Sequence, residues 1–477
     1  MSKQLWTWTS LLLVALTPIM AAELESHLLP RYQLAGRKPL AYNLTDRMKH
    51  YRVPAISIAI IRAGKIDRVE AWGVEEAGGR KVDPDTLFQA ASISKPVSAL
   101  AAVHMAQHGN FGLDDDVNAK LKSWQVPKSE FNGSVTLRRL LSHSAGLTVD
   151  GFPGYASTAE LPTVPQILDG AKPANTAAVR VNVEPGSIWR YSGGGYIVMQ
   201  LLLSDVSKMA FPELMHEMVL SRIGMTRSTY AQPLPESWRE NAARGHHGDE
   251  KMVEGRWHTY PEMAAAGLWT TPGDLARFAI EVWRSSRGES NKVIERAYAL
   301  EMLKVQKGEY GLGFRIEGDG AARRFGHGGS NEGFKCNFVM FRESGDGIVV
   351  MTNGDNGANL TNELVRGAAD LYSWPALRAE TRKAVTLPAA ELAKYAGTFE
   401  FSGQFNGVQL RVAFEDGRLW GYPPGDRPRA ELVPESAESF FPLGDTMPPI
   451  RFVRGPQGQW DELEIPSGAR AKRIPAK

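Results

Sequence analysis

"FQAASISKPVSALAAVHMAQHGN" (residues 88–110) sets a serine and a lysine three apart, Ser92-Ile93-Ser94-Lys95, at the mouth of an apolar run that ends at Gly109-Asn110. The run predicts a helix from Lys95 to His108. One helical turn separates positions 92 and 95, so their side chains share a face, and Ser92 sits where the first free backbone N–H groups point outward. An alkoxide there is stabilised by the helix dipole by about 0.3–1 kcal/mol. Pro96 fits, because the first turn needs no N–H donor. The plain alternative is that Ser92 or Ser94 caps the helix and Lys95 is solvated. A chain of this size holds about one Ser-x-x-Lys by chance, and this chain holds only this one. Partners elsewhere must decide.

The composition, 43% hydrophobic and 23% charged over 477 residues, is that of a globular protein with room for a large core and two domains. A net charge of +2, from 55 basic and 53 acidic residues without long runs of either sign, argues against nucleic acid as a partner. The start, "MSKQLWTWTSLLLVALTPIMAAELES", has an early Lys3, an apolar centre from Leu11 to Leu16 and small residues at Ala21 and Ala22. This predicts a secretory signal peptide over residues 1–22 and an exported protein, periplasmic or secreted. The apolar centre falls short of the ~20 residues a bilayer needs, so no integral span is expected after cleavage. Cys336 is the single cysteine, which excludes an intramolecular disulfide, and in "FKCNFVMF" it reads as a buried strand residue.

Two hairpin signatures bracket the helical part of the chain: "ISIAIIRAGKIDRVEAWG" (56–73), turning at Ala63-Gly64-Lys65, and "KCNFVMFRESGDGIVVMTNG" (335–354), turning at Gly345-Asp346-Gly347. Between them, Thr271 and Asp274 suggest a capping box with Pro272 in the first helical position. Leu275, Phe278, Ala279, Val282 and Trp283 then mark one apolar face. A further helix is expected in "TNELVRGAADLYSW" (361–374). The fold class is therefore α+β: an antiparallel sheet made from both ends of the domain and flanked by helices. From residue 385 the pattern changes to short strands, as in "VQLRVAFEDGRLWGY" with its Asp416-Gly417 turn, which predicts a small β-barrel or sandwich over 385–477 after a catalytic domain over 23–380.

Two more stretches carry chemistry. "EPGSIWRYSGGGYIVMQLLL" (184–203) puts Tyr191 just before glycines that let a backbone approach a ligand, although an isolated tyrosine is by default a structural aromatic. "RRFGHGGSNEGF" (323–334) sets His327 ahead of Gly328-Gly329-Ser330 on a late strand. His143, in "LLSHSAGL", reads as stabilising a loop. "GHHGDE" (245–250) with His258 invites a zinc reading, but adjacent histidines lack ligand spacing and a solvated loop is preferred. There is no Gly-x-Ser-x-Gly elbow, phosphate loop or dinucleotide fingerprint, and neither cofactor nor metal is expected.

Ser-x-x-Lys at a helix start, Tyr-Ser-Gly about a hundred residues later and His-Gly-Gly on a late strand form an ordered set. In these motifs the chain resembles the serine β-lactamase and penicillin-binding superfamily, in particular the class C-like branch that includes esterases and D-aminopeptidases. The resemblance runs over roughly residues 40 to 375 and extends to "LDDDV" (113–117), "TLRRLLSHSAGL" (136–147) and "AAAGLWTTPGDLARF" (264–278). The tail, with "YAGTFEF" and "EDGRLW", looks like the small, lipocalin-like barrel often appended to this branch.

The resemblance implies a β-lactamase/transpeptidase-like fold, with Ser92 as the acylated nucleophile and Lys95 and Tyr191 as its acid/base partners. His327 stands where many relatives carry the lysine of Lys-Thr-Gly. The oxyanion and substrate-binding set it implies is Ser92, His327, Gly329, Ser330 and Gly193, with the N–H groups of Ser92 and Ser330 as oxyanion donors. Gly193 replaces the asparagine of the family's Tyr-x-Asn, which removes an amide that would hold an acylamino side chain. His327, with an ordinary pKa of about 6.5, is expected to adjust the site's charge in the working pH range.

A serine hydroxyl needs a base. Lys95 serves only when neutral, which requires its pKa to fall from about 10.4 to about 7 or 8; a charged Lys95 would instead help Tyr191 to ionise. The expected protein is an exported serine hydrolase acting on an ester or amide of a small-molecule or peptide substrate. The rivals are a β-lactamase or D,D-carboxypeptidase, and a binding protein that keeps the fold without catalysis.

Overall fold

The computed structural model describes residues 23–425, 427–443 and 447–475; the signal peptide expected over residues 1–22 lies outside them. Strand β1 (Ala55–Arg62) is AISIAIIR, buried at every position but the last. A strand apolar on both faces belongs in the middle of a covered sheet. It turns through Ala63 and Gly64, both at positive φ (47° and 70°), as a two-residue hairpin demands, into β2 (Lys65–Gly73). The late strands are β3 (Arg315–Glu317), β4 (Arg324–Asn331), β5 (Phe334–Phe341) and β6 (Gly347–Thr352). They complete an antiparallel sheet in the order β2-β1-β6-β5-β4-β3. Ile56 lies opposite Thr352 and Ile60 opposite Ile348, so the two ends of this unit meet at its centre, as both hairpins foretold.

Five helices matter for the site: α1 (Ser94–Gln107), α2 (Leu137–Leu141), α3 (Gly193–Ser207), α4 (Met263–Ala266) and α5 (Pro272–Arg287). Helix α1 is buried from Ser94 to Ala106, as a helix apolar all round must be. Helix α5 lies on β1, β2 and β6 through the predicted face: Leu275, Phe278, Ala279 and Val282 are wholly buried. Phe278 stacks on Phe314 at 5.9 Å and meets Phe338 edge-on at 6.0 Å. Phe278→Ala is expected to destabilise this unit by about 3–5 kcal/mol, read as a lower urea midpoint.

The capping box at α5 is only half formed. Thr271 Oγ accepts the Asp274 N–H at 3.2 Å, but the Asp274 carboxylate is buried and accepts instead from the Arg227 N–H and the Ser228 hydroxyl, both at 2.8 Å. Two fixed donors there outcompete the free N–H of the cap. The helix expected in 361–374 starts earlier and runs over Gly357–Leu371.

The tail is a closed antiparallel barrel of eight strands: β7 (Gly397–Phe401), β8 (Gln409–Glu415), β9 (Arg418–Tyr422), β10 (Ala430–Pro434), β11 (Ser439–Leu443), β12 (Ile450–Arg454), β13 (Trp460–Glu464) and β14 (Arg470–Ile474). Pairing of β7 with β14 closes it and leaves no free edge. Tyr395, Phe399, Phe440, Phe452 and Trp460 fill its interior, and Tyr395 stacks on Trp460 at 4.9 Å.

By packing, the chain forms two compact units: Val53–Ala358, and the described residues up to Arg52 together with those from Asn359 onward. Within the second unit the buried Glu363 carboxylate accepts from Arg47 at 2.6 and 2.7 Å and from the Tyr51 hydroxyl at 2.7 Å, tying the early segment to the later helix. Among the described residues no helix is long and apolar enough to cross a membrane.

Candidate active site

Ser92 lies in a single 3-10 turn, Ala91–Ile93, that runs into α1. Neither serine caps the helix. The Ser94 hydroxyl donates to Ala91 O at 2.6 Å and accepts the Leu268 N–H at 2.9 Å, while the Cys336 thiol donates to Ala90 O at 2.9 Å. These bonds hold Ala91 in the left-handed region, φ +49°, a conformation that costs a residue with a Cβ about 1–2 kcal/mol.

Lys95 is 2% exposed. Its Nζ is 3.0 Å from Ser92 Oγ and donates to Ala265 O at 2.8 Å; it also lies 5.0 Å from the centre of the Tyr191 ring. Burial without a carboxylate partner lowers its pKa from 10.5 to about 7. A neutral amine can donate to Ala265 O and still offer its lone pair to the Ser92 hydroxyl. Tyr191 lies beside the same hydroxyl, yet burial pushes its phenol up to about 12. Ionising Tyr191 at pH 7 would therefore cost about 7 kcal/mol, while deprotonating Lys95 there costs almost nothing.

His327 is buried on β4. Its Nδ1 donates to Gly328 O at 2.6 Å, leaving Nε2 to face the Tyr310 hydroxyl at 3.4 Å. Burial, with the charge of Lys95, lowers its pKa to about 3. This corrects the expectation that His327 titrates in the working range: the imidazole is neutral throughout it. Gly329, opposite Cys336 across the β4–β5 pair, is required by close approach, because a Cβ there would lie 2.3 Å from Cys336 Sγ and 2.4 Å from Ala90 O. Only glycine lets β4 run against the turn that bears Ser92. Ser330 follows it, exposed. Gly193, the first residue of α3, donates its N–H to Asp150 O at 3.0 Å, and a Cβ there would meet the Phe152 ring at 2.9 Å. The space for an asparagine side chain is taken.

The sequence reading missed three residues of this site. His143, read as a loop stabiliser, follows α2 with its ring against Tyr191, centroids 4.2 Å apart. Its Nδ1 accepts the Ser192 N–H at 3.1 Å, so Nε2 carries the proton, and Nε2 has no hydrogen-bond partner among the described residues. Burial, then the charges of Lys95 and His327, hold its pKa well below 6.5. Tyr310 meets His143 edge-on at 5.0 Å, and Trp189 lies on Tyr310 at 5.4 Å. The signal for His143 was its place in "LLSHSAGL"; Tyr310 stands in no motif. His143→Phe keeps a ring on Tyr191 but leaves the Ser192 N–H unpaired. It is expected to cost about 1–3 kcal/mol of stability in urea unfolding and to lower kcat about 10-fold through misplacement of Tyr191.

The three histidines weighed for a zinc site have other contacts, and His246 is buried rather than solvated. The His246 Nδ1 lies 3.2 Å from Asn353 O, and His247 and His258 face Glu332 at 3.7 and 3.3 Å. Among the described residues no group of three or more His, Cys, Asp or Glu is placed to hold a metal.

Similarity to known proteins bears on the family and the fold. Penicillin-binding protein 4* of Bacillus subtilis (strain 168) is 21% identical over 383 residues, 76% of this chain and 82% of that one. Protein flp of Staphylococcus aureus (strain N315) is 24% identical over 224 residues, 46% of this chain; the match spans only 42% of flp. Among solved structures, the octameric penicillin-binding protein homologue from Pyrococcus abyssi aligns over 90% of this chain and 98% of its own, with a TM-score of 0.62 at 20% identity. EstCE1, a hydrolase with promiscuous acyltransferase activity, aligns over 67% and 95%, with a TM-score of 0.55 at 19% identity. The family described as Beta-lactamase matches residues 40–371, most of the chain: this protein belongs to the beta-lactamase family.

Proposed function

We propose that the protein is an exported serine hydrolase that opens an ester or amide bond through an acyl-enzyme on Ser92. The observation that carries this reading is Lys95: an amine 3.0 Å from Ser92 Oγ, buried, and brought to a pKa of about 7. Neutral Lys95 takes the Ser92 proton as Oγ attacks the carbonyl carbon. The N–H groups of Ser92 and Ser330 receive the developing oxyanion, each such donor being worth about 3–4 kcal/mol. The proton then passes through Lys95 and the Tyr191 phenol to the leaving atom as its bond to carbon breaks. Water repeats the sequence on the acyl-enzyme and frees Ser92. The signal-like start of the sequence supports export, which amino-terminal sequencing of the mature protein tests.

Fluorophosphonate labelling followed by intact-protein mass spectrometry tests the chemistry. One adduct, mapping to Ser92, is expected, with turnover of a 4-nitrophenyl ester; an unlabelled Ser92 excludes the reading. A β-lactam or D,D-peptide substrate fits less well, because Phe152 stands where the family's amide would project from Gly193 and His327 offers no cation to a carboxylate. Nitrocefin turnover faster than that of simple esters would reverse that preference.

A further inference from the structure

Large apolar side chains are rarely left open beside a catalytic group without a use. Ile188 and Trp189 are 44% and 40% exposed, although Trp189 is anchored on one face. Its ring lies on Tyr310 at 5.4 Å and 31°, and meets the edge of His143 at 6.5 Å. The backbone of Gly308 closes on its indole so tightly that a Cβ there would lie 3.2 Å away. Tyr310 and His143 in turn border Tyr191, at 6.4 and 4.2 Å. The rings of Trp189, Tyr310 and Tyr191 thus adjoin one another from the open indole to the phenol beside Ser92, with His143 buried behind them.

Few charged groups border this surface, and one of them, Arg190, meets only uncharged acceptors, Gly146 O and Asn182. His327 and His143 are neutral, and Arg315 is held by Glu309 and Glu317. Lys95 is buried behind Tyr191, so a group leaving the carbonyl carbon emerges past Tyr191, onto Tyr310 and Trp189.

We infer that Trp189 and Tyr310 form the subsite for the leaving group, and that they select an aromatic one, a phenol or aryl amine, over a short alkyl one. This rests on the hydrolase reading above. An aryl ring gains stacking on the indole that an alkyl group lacks. Trp189 acts here as a specificity residue.

Kinetics on two acetates test it: phenyl acetate and methyl acetate, each rate divided by that of alkaline hydrolysis. The wild-type protein is expected to favour phenyl over methyl acetate by about 10-fold or more, and Trp189→Ala to lose about 10-fold in kcat/KM on phenyl acetate. The loss on methyl acetate should be clearly smaller than that on phenyl acetate, and Trp189→Phe should keep most of the aryl preference. Equal losses on phenyl and methyl acetate, or no loss on either while Ser92 is still acylated by fluorophosphonate, would overturn the subsite and leave the hydrolase reading standing. Absence of both acylation and turnover would sink the two together.

Discussion

Ser92→Ala and Lys95→Met are each expected to lower kcat/KM on a reactive ester by about 10⁴-fold or more, and the double variant to lose scarcely more than either alone, because nucleophile and base act as one unit. Additive losses in steady-state kinetics would separate the two residues. The wild-type kcat/KM should rise with pH through an apparent pKa of about 7, the value at which Lys95 becomes neutral, and Lys95→Met should abolish that limb.

The same substitution has an opposite effect on stability. The unfolded chain keeps the Lys95 proton up to about 10.5, whereas the folded protein releases it near 7. Below 7 both states are charged, and the folded one bears the whole cost of burying an ammonium, on the order of 5 kcal/mol. Between 7 and 10.5 the unfolded state binds more protons, so stability rises with pH; above 10.5 the cost is gone. Lys95→Met is therefore expected to raise Tm below pH 7, less the hydrogen bond lost at Ala265 O, and to lose the advantage as pH approaches 10.5. A Tm unchanged at low pH would mean that the ammonium is solvated.

The second large effect is expected at Gly329. In Gly329→Ala the new methyl would need the space held by Cys336 Sγ and Ala90 O, 2.3 and 2.4 Å away. Neither can yield cheaply, since the thiol is buried and bonded to that same carbonyl. Strand β4 must move off the Ser92 turn, which widens the gap between the N–H groups of Ser92 and Ser330. A loss of about 10²–10³-fold in kcat is expected, with about 1–3 kcal/mol of stability. Gly328→Ala is the control: its Cβ would meet nothing nearer than Cys336 O at 3.9 Å, so stability should stay within about 0.5 kcal/mol. Equal effects at the two positions would show that contact with the turn is not what fixes residue 329 as glycine.

What could be read from the sequence was whatever short spacing encodes. Ser92 and Lys95 are one turn apart, Tyr191 is flagged by its glycines, and both hairpins announce their turns. The eight-stranded tail was legible from its alternation of short strands and turns. Long-range packing was not. Tyr310 reaches the site from a loop with no motif, and His143 looked like a turn residue because its partners are at Trp189, Tyr191 and Ser192. His327 was identified, but its charge was misread: a reference pKa describes a solvated ring, and only the fold shows that water is excluded. The half-made cap at Thr271 failed for a similar reason, since Arg227 and Ser228 are distant in sequence.

The pairing of Ile56 with Thr352 bears on how the protein is made. A ribosome delivers β1 long before the partner that flanks it, so on that side the nascent strand has nothing to pair with until almost the whole unit has been synthesised. Contacts so remote in sequence slow the search for the native topology. Truncated chains ending before Gly347 should consequently gain helix without protection of the β1 amides that face β6, and full-length chains should acquire that protection in a late, cooperative step of pulse-labelled hydrogen exchange.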